Sequence, residues 1–200
     1  MSKKGKKHAK NLLAAGGLAA VGSLAWKAYR NYQDKTADTA SAPQPAPKAN
    51  AEALPPAPAG WASLQEADFT IPQASTDGSK GLLLIRAMIT AAMADGHMDN
   101  AERSAIFGKM ESLDLDADEK ALVVEEVLHP KTMDDILRAV VDQESAIEVY
   151  AASVLAIDES RPEAAAYLNE LAERLSLPPL LIEALRSRVE QTRSADDQAA

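Results

Sequence analysis

At 200 residues, with a formal net charge of −9, 46% hydrophobic and only 4% aromatic residues, the chain has room for one domain and appendages and a helix-former's composition rich in Ala and Leu. The absence of cysteine excludes disulfides and thiolate metal sites. The charge is split: residues 1–35 hold eight Lys/Arg against Asp34, about +7, which leaves about −16 for the rest, and an acidic body of that kind excludes nucleic acid as a partner.

Lys3, Lys4, Lys6, Lys7 and Lys10 precede NLLAAGGLAAVGSLAW, residues 11–26, which contains no charge. As a helix this run measures roughly 24 Å, a little short of a ~30 Å hydrocarbon core. Lys10 and Lys27 can snorkel, and Trp26, Tyr29 and Tyr32 stand where an interfacial aromatic belt would lie. Residues 1–35 are therefore expected to be a basic N-terminus with one transmembrane helix. A leader cleaved near Ala40-Ser41-Ala42 and an Ala/Gly-rich surface helix are the alternatives. The lysines before the run favour an N-terminus in the cytoplasm and a helical domain on the other side, and the side stays open.

Residues 36–78 change to Ala, Pro, Ser and Thr, the composition of a semi-rigid spacer. Trp61, Leu64 and Phe69 in its second half are candidates for docking on the body. From Lys80 the pattern is helical. Leu82–Met93 is apolar almost all round, with Arg86 and Thr90 as the polar exceptions. Asp99–Leu113, Asp116–His129 and a short helix from Met133 follow. Ala146–Ile157 is again apolar nearly all round, interrupted by Glu148 and Ser153. Arg161–Leu175 comes next, and Pro178-Pro179 opens a last helix to about Arg193. The expected fold is all-α: a bundle of about seven helices over residues 79–195, with Leu84, Ile85, Met88, Ile147, Val154 and Leu155 in its core and a tail at 196–200.

The two apolar helices head two similar halves, each a buried helix, an acidic loop and an amphipathic helix. The loops are ADGHMDNAE at 94–102 and AIDESRPE at 156–163. Capping accounts for Asp99-x-x-Glu102 and Ser160-x-x-Glu163, with Pro162 fitting a first helical turn. Asp95 and Asp158 resist that account. Each follows an apolar helix at its C-terminal end, where the dipole favours a cation, so an aspartate there needs a donor or a metal. Together they would offer hard oxygen ligands suited to Ca²⁺ or Mg²⁺ better than to Zn²⁺. The alternative is that Asp95-Gly96 and Asp158-Glu159 are turns in which aspartate bonds the backbone ahead of it. His97 is more simply a solvent-facing loop residue than a nitrogen ligand.

Asp114, Asp116, Asp118 and Glu125 have the spacing of an EF-hand loop, but Glu119 occupies the position that requires glycine and a helix pattern runs through the remaining ligands. N-capping by Asp116 or Asp118 is the better reading. There is no Gly-rich phosphate loop, HExxH, G-x-S-x-G or cysteine nucleophile, and no catalytic role is expected.

The motifs A-x-A-D-G-H-M-D-x-x-E-R at 92–103, E-x-A-I-E-V-Y at 144–150, and I-D with Y-L-x-x-L-A-x-x-L-x-L-P at 157–178 resemble a bacterial inner-membrane family that includes YebE, with a helical domain similar to the tellurite-resistance protein TerB. The resemblance implies a TerB-like fold at the inner membrane and a divalent-metal site drawn from Asp95, Asp99 and Glu102 in the first loop and Asp158 in the second. Related chains carry an acid at the positions of Ser160 and Ala164. Here Glu163 is displaced by one residue, about 100° around a helix. The function expected is a membrane-tethered, non-enzymatic module that binds or senses a divalent cation in envelope or metal/oxyanion stress. The alternative is a metal-free module whose acidic surface, with Asp134, Asp135, Asp142 and Glu144, docks a basic protein.

Overall fold

The computed structural model describes residues 19–41, 64–69, 78–94, 117–157 and 161–198, together with Met98, Arg103, Ile106, Phe107 and Glu159. Among these residues there are seven helices and no strand: α1 (Ala19–Ser41), α2 (Gly78–Ala92), α3 (Ala117–Leu128), α4 (Met133–Ala139), α5 (Gln143–Ala156), α6 (Pro162–Arg174) and α7 (Pro179–Gln198). Arg103, Ile106 and Phe107 are also helical, within the stretch where the sequence predicts a helix over 99–113.

The two helices predicted to be apolar all round form the centre. The pairing of α2 with α5 is the most extensive in the fold; α3 and α4 pack on α2, and α6 touches both central helices. Leu84, Ile85, Met88, Ile147, Val154 and Leu155 are all buried, as expected. An uninterrupted apolar surface forces this layout, because a helix without a polar face has to be covered on every side.

Local signals set the helix ends. The Asp142 carboxylate accepts from Ser145 N–H at 2.7 Å and Ser145 Oγ accepts from Asp142 N–H at 3.2 Å, a reciprocal cap that starts α5. Thr132 and Asp135 repeat the arrangement at α4. The predicted Ser160–Glu163 box is not the device at α6. Its N-cap is Arg161, with no side-chain cap hydrogen bond, and Pro162 supplies the first turn. The α3 helix is continuous from Ala117 to Leu128, so Glu125 rides a helix and no EF-hand loop exists there. The last helix runs to Gln198, five residues past the expected end.

At the C-terminal end of α6, Leu177 N–H bonds Ala172 O at 3.0 Å and Ser176 N–H bonds Glu173 O at 2.9 Å, closing the helix with Ser176 at φ 55°. This is the reversal that usually carries glycine. A non-glycine residue there costs ~1–2 kcal/mol, part of which glycine returns through its looser unfolded state. Ser176→Gly is expected to raise stability by about 0.5–1 kcal/mol in urea unfolding; a destabilised variant would mean that the serine side chain holds the reversal.

The N-terminal segment departs most from expectation. Val21, Leu24, Ala25, Ala28, Tyr29 and Tyr32 recur at helical spacing along one face of α1, and all are buried in the same core as the body. That face lies on α7 and α5. Tyr29 and Tyr32 are thus core residues rather than members of a membrane-interface belt. Trp26, Tyr29 and Phe69 form a cluster with ring centroids 5.7–6.0 Å apart. Tyr29 Oη accepts the Leu64 N–H at 3.3 Å and the Gln33 amide at 2.9 Å. Leu64 and Phe69 dock as predicted; Trp61 lies outside the described residues. Among the described residues no helix is long and apolar enough to cross a membrane. The body expected to begin near residue 79 therefore shares its core with α1 and with the turn at 64–69.

Candidate functional site

Of the predicted metal ligands, Asp95, Asp99, Glu102 and Asp158, as well as His97, lie outside the described residues. Glu163 is described: it is exposed in the first turn of α6. Among the described residues no group of three or more His, Asp or Glu is placed to hold a metal ion. The α2 helix ends three residues before Asp95 and α5 two residues before Asp158, and these helices are the central pair. Their first turns meet, since Lys80 near the start of α2 contacts Glu144 and Glu148 near the start of α5. Beyond the second loop, Arg186 of α7 reaches Glu159 at 3.3 Å while bonding Tyr150 Oη and the Asn169 side chain. A fixed guanidinium thus stands beside the residue that follows Asp158.

The acids proposed as a docking surface are each engaged within the fold. Asp134 pairs with Arg174, and Asp135 takes Thr132 and Arg138. Asp142 caps α5, and Glu144 bonds Lys80. The bonds from Thr132 hold the Asp135 carboxyl below its ordinary range.

The chemically unusual group is Glu148, one of the two polar interruptions of the apolar run at 146–157. Its side chain is 0% exposed. Lys80 Nζ lies 3.0 Å from Oε2, an ion pair off hydrogen-bond alignment, and neither carboxylate oxygen has a hydrogen-bond partner among the described residues. Lys80 is shared three ways, because it also donates to Glu144 Oε1 and, at 3.3 Å, to the Asp68 carbonyl. Burial acts to lower the Lys80 ammonium, but the bond from Glu144 and the charge of Glu148 outweigh it and hold it above its ordinary value. Burial pushes Glu148 the other way, up to about 7; Lys80 opposes the rise, and Glu144 and Asp142 add to it.

On the opposite side of Glu148 stands Gly22 of α1. A Cβ at Gly22 would meet Phe69 O at 2.0 Å and Glu148 Oε1 at 3.5 Å. Only glycine lets α1 lie this close to the 64–69 backbone, and the buried carboxylate closes the same crevice. The sequence signals were a charge inside an apolar helix and a glycine within a packed stripe. Neither identifies its partner without the fold.

A helical bundle whose central pair is followed in sequence by two acidic stretches, with a buried carboxylate under its first helix, is the class of protein that emerges. The chain belongs to the family described as "Protein of unknown function (DUF533)", whose model matches residues 1–189 and so takes in α1 as well as the body. No curated protein and no solved structure gives a match.

Proposed function

We propose that the chain is a non-enzymatic helical module of the bacterial inner membrane that binds a divalent cation between the loops at 95–102 and 158–163, in the manner suggested by its resemblance to YebE-like proteins with a TerB-like domain. The observation that carries the reading is the central pair: α2 and α5 pack along each other, their first turns meet at Lys80, and each is followed within three residues by an aspartate. A carboxylate at the negative end of a helix dipole is unfavourable by itself, and a cation shared by two such ends relieves both faults. Asp95 and Asp158 are the proposed primary ligands, with Asp99, Glu102 and Glu163 as contributors. Carboxylate oxygens without a thiolate favour Ca²⁺ or Mg²⁺ over Zn²⁺.

Membrane attachment belongs to the N-terminal segment. With α1 seated on the body, residues 19–26 of the uncharged run belong to a helix packed in the core, and the eight that precede them span about 12 Å even as a helix, too short to cross a bilayer. The attachment proposed for the seated form is therefore at the surface of an anionic bilayer, through Lys3, Lys4, Lys6, Lys7 and Lys10 and the apolar residues after them. A single-span insertion of 11–26 would require α1 to leave the core.

Calorimetric titration of the full chain with Ca²⁺, Mg²⁺ and Zn²⁺ tests the metal reading. Ca²⁺ or Mg²⁺ is expected to bind and to stabilise by about 2.7 kcal/mol at a hundredfold excess over its dissociation constant. In Asp95→Asn most of that stabilisation should vanish, while the metal-free variant gains a few tenths to ~1 kcal/mol from relief of the helix end. Equal metal-induced shifts in wild type and Asp95→Asn would reject the site.

A further inference from the structure

The Glu148 cluster is built with one positive charge, Lys80, shared by two glutamates. Lys80 faces Glu148 from α2, and Glu144 and Asp142 face it from its own helix. The 64–69 turn contributes carbonyls, Asp68 O to Lys80 and Phe69 O beside the crevice, while the Asp68 carboxylate is taken up by the Gln65 N–H. From α1 the crevice is bordered by Gly22, and Lys27 and Arg30 are exposed. From α7, Arg186 is directed to Tyr150, Asn169 and Glu159. With both glutamates ionised, a full negative charge is left over in the cluster, and the Glu148 carboxylate is itself closed to water, with Oε1 unpaired. A proton on Glu148 removes that charge and turns an orphaned acceptor into a donor in the crevice that Gly22 and the Phe69 carbonyl border.

We propose that protonation of Glu148 controls the docking of α1: with the proton on, the helix is locked against α5 and the 64–69 turn, and with the proton off, it loosens so that water can reach the carboxylate. The seat is sensitive because three parts converge there without slack. Gly22 has no room for a side chain, Phe69 O backs it, and Glu148 fills the remaining side. When α1 leaves, Val21, Leu24 and Ala25 lose their cover and become available to another apolar surface.

The seated form holds the proton more tightly than an open form in which Glu148 meets water and titrates near its ordinary 4.5. Docking is then strongest below that value, weakens as pH rises from about 4.5 to about 7, and is level above. Between pH 5.5 and 7.5 the opening equilibrium of α1 is expected to rise roughly 20-fold.

Hydrogen exchange of the full chain reads this directly, with α1 amides followed at both pH values, corrected for intrinsic exchange and referenced to α6. The expected result is a selective loss of α1 protection at pH 7.5, and a Glu148→Gln variant protected alike at both values. Equal relative protection of α1 in the wild type at the two pH values overturns the proposal. So does a pH response that persists in Glu148→Gln, which would assign it to another group. If Glu148→Gln does not fold, the carboxyl carbon of Glu148 is titrated by NMR in the wild type. A midpoint near 7 that tracks α1 exchange upholds the switch, and one below 5 ends it.

Discussion

A chain cut back to residues 75–200 is expected to lose most of its stability, although the sequence alone marks it as a self-sufficient bundle. The cut removes α1 and the 64–69 turn, and with them Val21, Leu24, Tyr29, Tyr32 and Phe69 from the common core. Each large apolar side chain contributes ~1.5–3 kcal/mol when fully buried, so the loss is of order 5–10 kcal/mol even after discounting for a compact unfolded state. A whole domain has only about 5–15 kcal/mol to lose. The cut also bares the faces of α5 and α7 on which α1 lies. Circular dichroism should show retained helix but a broad or absent melt, alongside a cooperative transition in the full chain. A sharp melt in the shortened chain, at an unchanged temperature, would mean that α1 is an accessory and that its apolar face is free for the bilayer.

The sequence separates α1 from the body for a physical reason. Residues 11–26 carry no charge, and an uncharged run of that length draws the eye to the membrane. The amphipathic signal lies across its boundary. Val21, Ala25, Ala28 and Tyr32 follow one stripe, while Ser23, Lys27, Arg30 and Asp34 occupy the exposed side. That period is legible in the sequence, but only when the window starts inside the run rather than at its end. The docking partner is not legible, because the faces of α5 and α7 that receive the stripe are apolar for reasons of their own.

The body was easier. The two all-apolar helices had to be central, and the caps at Thr132 and Asp142 sit where polar residues precede helical patterns. The polar exceptions within those helices are where sequence reasoning stops short. Thr90 donates to the Lys131 carbonyl at 3.1 Å, and Ser153 turns back to Val149 O at 2.8 Å, so both are satisfied by backbone. Glu148 and Arg86 instead take partners from other helices, which no spacing rule reveals. The candidate metal loops were located by a fault in helix chemistry, and the structure describes α2 and α5 before them and α6 after the second, with Glu163 the one proposed ligand among the described residues.

Replacing Arg86 should be the most damaging single substitution in α2. Its Nε lies 2.8 and 2.9 Å from the two carboxylate oxygens of Glu126, and a second guanidinium nitrogen lies 2.8 Å from Oε1. The Glu126 side chain is 3% exposed, and its only other cation among the described residues, Lys131, stands 3.9 Å away and half in solvent. Arg86→Met keeps the length of the side chain but strands a buried carboxylate, and breaking such a pair from one side costs ~3–5 kcal/mol. The loss arises from the charge left behind, not from any large net value of the pair. Removing both charges in Arg86→Met/Glu126→Leu is therefore expected to restore most of the stability, to within about 1 kcal/mol of wild type or above it. Urea unfolding of both single variants and the double variant measures the coupling. Additive losses in the double variant would show that Arg86 and Glu126 each serve packing on their own and that the ion pair is incidental to how α3 is held on α2.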